Sequence, residues 1–322
     1  MKTLIMQEKK PIRLDRYLMD EFPTLSFGML NKALRENKIK LNGKKQPLST
    51  RVNFGDEIRL YIKDEILLGT AQQSTACTES YPFMGAIYGV EVVYEDAHVL
   101  LVNKPAGIPV MDDTAKDTLI HRAQRYLYEK KEWIPEEKEA PALCHRLDTG
   151  TSGLVMIAKD SKTEQQLLEL IRQHLLQKQY LCVTFGHPSP SSQTLKGFLQ
   201  KNAEKGQVRI VNRPLPGCLS VETQYEIMRT SGRVALLKVN LITGRTHQIR
   251  AHMASIGCPI VGDSKYGDNR INRELKIKYQ LLCAHKLRFP KIETKELRGV
   301  SGKTFEAPTA WWVNQVLDGT LR

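Results

Sequence analysis

HRLDTGTSGLVMIAK, residues 145–159, is the stretch on which the reading of this chain turns. Its first half is polar, with two glycines around small hydroxyl residues. Its second half, Leu154–Ala158, is an unbroken apolar run of strand length. A loop so polar is not core, and its glycines leave room for a ligand backbone to come close. One carboxylate, Asp148, stands in it among cations. A second segment of the same character, TGRTHQIRAH at 243–252, joins a strand ending at Leu241 to a helix from Thr246 to about Ser255, capped by Thr243 or Thr246. On that helix Arg250 shares a face with Thr246 and His247, so a rigid element can aim it at a partner. An isolated Asp–Arg pair is more often a structural ion pair, but both residues here lie in segments too polar and glycine-rich for that.

Working outward, strands are expected at Val92–Tyr94, Val99–Val102, Gln179–Thr184, Val208–Val211, Val221–Met228, Arg233–Leu241 and Lys286–Phe289, with helices at Thr118–Glu129 and Thr163–Leu176. This is a strand-rich α+β body without the regular alternation of a doubly wound fold. Upstream, residues 12–62 read as a small α+β unit. Leu14, Tyr17, Leu18 and Phe22 keep helical spacing, as do Leu25, Met29, Leu30, Ala33 and Leu34 behind a Ser26 cap. Ile39–Leu41 and Glu57–Ile62 are strands, and Asn42-Gly43 is a tight-turn signal. Residues 63–88 lose their charge, gain Ser, Thr, Gln and Gly, and read as a linker, so the body spans 89–320.

The 322 residues carry 48 Lys and Arg against 35 Asp and Glu, a net charge of +13. Residues 1–63 hold 14 of those cations against 7 acids, and none of the cations lies between Lys63 and Lys104. A basic head ahead of a larger body points to a polyanion rather than to uniform solubilisation. No run of about 18 apolar residues predicts a membrane helix, so no membrane partner is expected. The start of the chain does not read as a secretory signal. Six scattered cysteines without a CxxC pair argue against a disulfide framework or zinc ribbon, and a reducing, cytoplasmic setting is expected. Neither nucleotide-cofactor glycine fingerprint is present. His247 and His252 are five apart, the wrong spacing for a shared metal on one helical face. Ser152 sits in GTSG rather than GxSxG, which leaves a Ser152–His145 hydrolase a weak reading. Chemistry without metal or cofactor is the remaining expectation.

HRLDTGTSGLVMIAK resembles the signature of the RluA-type RNA pseudouridine synthases. VYEDAHVLLVNKPAGIPV upstream, KQYLCVTFG at 178–186, TGRTHQIRAHMASIGCPIVGDSKYG at 243–267 and LLCAHKLRF at 281–289 follow in the family's order, so the likeness covers about residues 90–310. In the N-terminal unit, RLDRYL, LNGKK and VNFGDEI are similar to an S4 RNA-binding domain. The resemblance implies a mostly antiparallel sheet with flanking helices, a pseudouridine synthase fold, and isomerisation of uridine to pseudouridine in RNA, without cofactor. Structured RNA is the implied partner, large-subunit ribosomal RNA before transfer RNA, and the protein is expected to be a monomer. Asp148 matches the family's catalytic aspartate, Arg250 its active-site arginine and Tyr180 its active-site tyrosine. Whether Asp148 attacks C1′, adds to C6 or abstracts a sugar proton is left open. Since a base inside a helix must be extruded to be reached, Arg146 is expected to fill the vacated stack or hold the flipped phosphate. Arg245, Lys104 and Lys159 are expected at the RNA backbone, and Lys32, Arg35 and Lys44 in the S4-like unit. A non-catalytic RNA-binding protein would share the charge and the S4-like unit, but would gain nothing from a carboxylate facing a polyanion.

Overall fold

The computed structural model describes residues 2–7, 11–22, 30, 33–34, 37–48, 50–62, 81–87, 89–112, 114–202 and 206–322. The chain divides into two compact units, Met1–Glu79 and Ser80–Arg322.

In the first unit, strands β1 (Lys2–Ile5), β2 (Ile12–Arg13), β3 (Ile39–Leu41), β4 (Arg51–Val52) and β5 (Glu57–Leu60) accompany helix α1 (Leu14–Glu21). β5 lies between β1 and β3, antiparallel to both, and β2 pairs with β4. Leu14, Leu18 and Phe22 recur every fourth residue and are buried together with Leu30, Ala33, Ile39, Ile58 and Leu60. Asn42 and Gly43 both take positive φ, 49° and 74°, as a two-residue hairpin turn requires. The Asn42 side chain then donates to Asp56 Oδ1 and accepts from Glu57 N, both at 2.8 Å. The NG and GD dipeptides therefore lock one another. The sequence places the start of this unit at residue 12, but β1 carries it back to Lys2. Its sequence, Lys2-Thr3-Leu4-Ile5, does not alternate polar with apolar residues, so no period marks it as a strand. Ser26 and most of the expected second helix lie outside the described residues.

The second unit is built on one sheet. Its strands are β6 (Glu91–Glu95), β7 (Val99–Lys104), β8 (Ala142–Leu143), β9 (Ser152–Ala158), β10 (Gln177–Phe185), β11 (Ser192–Asn202), β12 (Gln207–Val211), β13 (Leu219–Ser231), β14 (Val234–Leu241), β15 (Leu282–Arg288) and β16 (Thr304–Glu306). The main path runs β12-β11-β13-β14-β10-β15-β9-β7-β6, with β16 on β15 and β8 on β9. All pairs are antiparallel except β9 with β15. The helices are α2 (Leu119–Glu129), α3 (Ser161–Arg172), α4 (Gln248–Ser255), α5 (Asn269–Glu274) and α6 (Trp311–Leu317).

The middle stretches of the central strands, such as Leu154–Ala158 and Leu181–Val183, are apolar at successive positions because the sheet is covered on both faces there. Leu100, Val102, Val155, Ile157, Tyr180, Cys182, Leu237 and Val239 point to one core, closed by α2 and by Ile249 and Met253 of α4. The alternate residues, among them Leu101, Met156, Leu181 and Leu236, point to a second core with Leu167 of α3 and Trp312 and Val316 of α6. Strand alternation thus puts Tyr180 on the same side of the sheet as α4.

Three expectations are corrected here. Pro82–Gly85, inside the expected linker, forms a 3-10 turn, and Phe83 is buried against Trp133 and Tyr128 in the first core. α4 starts at Gln248, not Thr246, after a left-handed His247 with φ 56°. The glycines of TGTSG do not make room for a ligand: a Cβ on Gly153 (φ 111°) would lie 2.3 Å from Ala284 O, and one on Gly150 2.2 Å from Gln280 Oε1. The close approach they permit is that of the chain itself, by β15 across its parallel pairing with β9 at Gly153 and by the Gln280 side chain at Gly150. Among the described residues no helix is long and apolar enough to cross a membrane.

Candidate active site

The two polar segments line one cavity of about 300 Å³, at the small end of the range for ligand sites. Asp148 stands at the turn between β8 and β9, where Thr151 N donates to its carbonyl at 2.9 Å. Its Oδ2 accepts from Arg250 Nη1 at 2.7 Å. Arg250, on the first turn of α4, is 4% exposed. Its Nε and Nη2 donate to the two oxygens of Asp263 at 2.7 and 2.9 Å, and its guanidinium lies over the Tyr266 ring. Asp263 is fully buried and also accepts from the backbone N–H groups of Lys265 and Tyr266. Burial works against the charge of Arg250, but the hydrogen bonds and charges of Asp263 and Asp148 outweigh it and raise its pKa. The guanidinium is therefore a fixed fork, clamped from behind by Asp263 and presenting one free edge to Asp148.

β10 supplies Tyr180, 7% exposed, to the same cavity. Its pairing with β15 shifts register between Gln179 and Tyr180, a local irregularity of the kind that re-aims a side chain. Burial pushes the Tyr180 hydroxyl up and the charge of Asp148 adds to this, so the phenol is protonated at neutral pH.

The expected threonine cap on α4 is absent: the N-cap is His247, without a side-chain cap bond, and Gln248, not among the residues expected at the site, ties down the preceding loop. Its Oε1 accepts from Arg245 N at 3.1 Å and Thr243 Oγ1 at 2.9 Å, and its Nε2 donates to Glu222 O and Thr223 Oγ1. One buried amide thus holds the loop that carries Arg245 and His247. His247 was also missed as a site residue. Val208 N donates to Tyr266 Oη at 2.8 Å, which leaves the hydroxyl proton for His247 Nδ1 at 3.0 Å. The imidazole proton then sits on Nε2, 3.8 Å from Asp148 Oδ2. Burial lowers the His247 pKa more than Asp148 raises it.

Of the expected RNA-contacting cations, Arg146 and Arg245 are exposed on the cavity lip, with no side-chain hydrogen bond or ion pair to any described residue. Lys44 is exposed in the first unit, and Lys32 and Arg35 lie outside the described residues. Lys159 is corrected: its Nζ bridges Glu95 and Glu132 at 2.7 and 2.6 Å, so it is neutralised within the body. Lys104 is corrected too. It is fully buried, and its three ammonium protons go to the carbonyls of Pro105, Ile108 and Thr149 at 2.9, 2.8 and 3.1 Å. Burial pushes its pKa down to about 8 against the pull of Asp148, which still leaves it charged at pH 7. It pins the loop bearing Asp148 to the turn at Gly107, whose N–H also donates to Thr149 O. Lys104→Met leaves the carbonyls of Pro105 and Ile108 without this donor and Thr149 O with Gly107 N alone, so it should lower the unfolding free energy by about 2 kcal/mol in urea titration. An unchanged midpoint would return Lys104 to the surface.

The hydrolase reading has no geometry behind it. Ser152 Oγ donates to Leu282 O, and His145 Nε2 accepts from Met156 N. Burial also lowers the His145 pKa to about 4, so the ring is neutral and its acceptor nitrogen is occupied. Among the described residues no three His, Cys, Asp or Glu side chains converge as a metal site.

Comparison with known proteins gives a consistent set of likenesses. The RNA pseudouridylate synthase family matches residues 98–255. The ribosomal large subunit pseudouridine synthase C of Rickettsia bellii is 32% identical over 273 residues, 83% of this chain and 87% of that protein. An uncharacterized RNA pseudouridine synthase of Mycoplasma pneumoniae is 28% identical over 99% of this chain and 98% of its own length. Among solved structures, human RNA pseudouridylate synthase domain containing 4 shares the fold with a TM-score of 0.58 at 23% identity, covering 71% of this chain and 92% of that one.

Proposed function

The chain belongs to the RNA pseudouridylate synthases, and from that membership we propose that it converts uridines of large-subunit ribosomal RNA to pseudouridine, with Asp148 as the group that engages the flipped nucleotide. The reaction breaks C1′–N1, turns the uracil and makes C1′–C5. N1 gains a proton and C5 releases one, so nothing is added or lost overall. The observation that carries the reading is the Asp148 carboxylate, held by one edge of an immobilised Arg250 in a cavity rimmed by Arg146 and Arg245. A carboxylate facing a polyanion weakens binding, so its place there is accounted for by chemistry. Tyr180 supplies a flat ring, with its hydroxyl protonated, against which the extruded base can stack. Arg146 and Arg245 offer charge to its phosphates.

Ribosomal RNA as substrate rests on the names of relatives such as the Rickettsia synthase. Pseudouridine mapping of RNA from cells with and without this protein tests it. The expected result is loss of signal at discrete uridines of large-subunit RNA. Losses confined to transfer RNA would replace the ribosomal reading with the transfer RNA one.

The basic first unit is proposed to act as an S4-like RNA-binding module. It has its own core around Leu14, Leu18 and Ile58, and among the described residues the core of the second unit starts at Tyr81, which stacks on Phe83. Removing residues 1–75 should therefore leave a folded, active body. KM for structured RNA should rise more than kcat falls, and the dependence of binding on salt should flatten as phosphate contacts are lost. A truncated protein that failed to fold, or kept its full salt slope, would make the first unit scaffold rather than module.

A further inference from the structure

Beside the site lies a larger groove of about 600 Å³, which shares Lys178 and Leu241 with the Asp148 cavity. It opens where β10, β14 and β15 end together, and its walls carry His174, Lys178, Lys286 and Arg288. Lys286 is paired with Glu306 at 2.6 Å. Arg288 is exposed, and neither it nor Lys178 has a side-chain hydrogen bond or ion pair to a described residue.

Lys178 is the informative group. Burial lowers its pKa, and its positive charge adds to the burial that keeps His145 neutral. A half-buried ammonium with no anion beside it is costly unless a ligand supplies one. Gly244 keeps that ammonium open: a Cβ there would stand 3.1 Å from Lys178 Nζ. On the groove wall Gln179 Nε2 donates to Asn240 Oδ1 at 3.2 Å, and Asn240 Nδ2 donates onward, beyond the groove lining, to Gln224 Oε1 at 3.0 Å, an amide row across three strands. Amides beside unpartnered cations suit a chain of alternating bases and phosphates better than an acidic peptide, which offers no base edges.

We propose that this groove holds the RNA strand continuous with the flipped uridine, with a phosphate on Lys178 at the junction and the next on Arg288. The proposal rests on the reading of the Asp148 cavity as the uridine site. It extends that reading from a single nucleotide to a flanking single strand.

Full-length protein and fluorescent oligouridylates, a trinucleotide and a dodecanucleotide, provide the test. Wild-type protein should gain affinity with length. Arg288→Ala should lose about tenfold of that gain and show a salt slope shallower by about one, the signature of one phosphate contact. Lys178→Met should do the same and also weaken the trinucleotide. Arg288→Ala, lying outside the Asp148 cavity, should keep kcat in tritium release from 5-labelled RNA of cells lacking the protein while KM rises. Unchanged salt slopes and length dependence in both variants would overturn the groove, whatever the turnover. Binding results as expected from a wild-type protein that releases no tritium would uphold the groove and remove the uridine reading instead.

Discussion

Asp148→Asn should abolish measurable isomerisation, a loss on the order of 10⁴-fold or more, while RNA affinity stays level or tightens slightly. The substitution keeps the size and planar shape of the side chain and removes its charge. Arg250 Nη1 still finds a carbonyl oxygen 2.7 Å away, so the clamp on Asp263 is not disturbed and the fold should be unaffected. What is lost is the one carboxylate in a cavity rimmed by cations, the only feature there that works against binding a polyanion. Tritium release from 5-labelled uridine in RNA reads the chemistry and fluorescence anisotropy reads the binding. Release at the wild-type rate would take Asp148 out of the mechanism, and a parallel fall in affinity would make it a binding residue.

How much of this was legible beforehand differs from residue to residue. Asp148 and Arg250 could be picked out because polar, glycine-rich loops next to apolar strands are not core, and the structure does bring the two together across 102 positions of chain. Tyr180 could not be picked out from its own surroundings: in Gln177–Phe185 it is one aromatic in a buried strand, and it does face the core as well as the cavity. Lys104 and Lys159 misled because a lysine reads as solvated until its neighbours in space are known. For one these are three carbonyls and for the other two carboxylates, mostly distant in sequence. Asp263 was missed for the opposite reason. A Gly-Asp pair reads as a turn, and nothing local tells that its carboxylate will be fully buried behind an arginine. The sheet core was readable from its apolar runs, whereas β11, with Gly197 and Lys196 at its middle and polar ends, is strand only because β12 and β13 flank it.

The missed carboxylate leads to the second large effect. If Arg250 works as a fixed fork, its usefulness depends on Asp263, and the two should behave as one unit. Arg250→Leu would strip the buried Asp263 of both side-chain donors, a loss of about 3–5 kcal/mol by comparison with other broken buried pairs, so stability would obscure the result. Gentler variants separate the effects. Arg250→Lys keeps a cation but cannot make two parallel bonds to Asp263 and a third to Asp148. Asp263→Asn keeps the size but offers one acceptor oxygen to the two Arg250 nitrogens. Each should reduce kcat by about 10²–10³-fold with little change in KM, because positioning of Asp148 is lost and RNA contacts are not. The double variant should be scarcely worse than either single one, since residues in one hydrogen-bonded network are strongly non-additive. Single-turnover kinetics on all four proteins, with urea midpoints to confirm that each is folded, measures this directly. Losses that multiply would mean that Asp263 merely buttresses the fold and that Arg250 is held in place by something else.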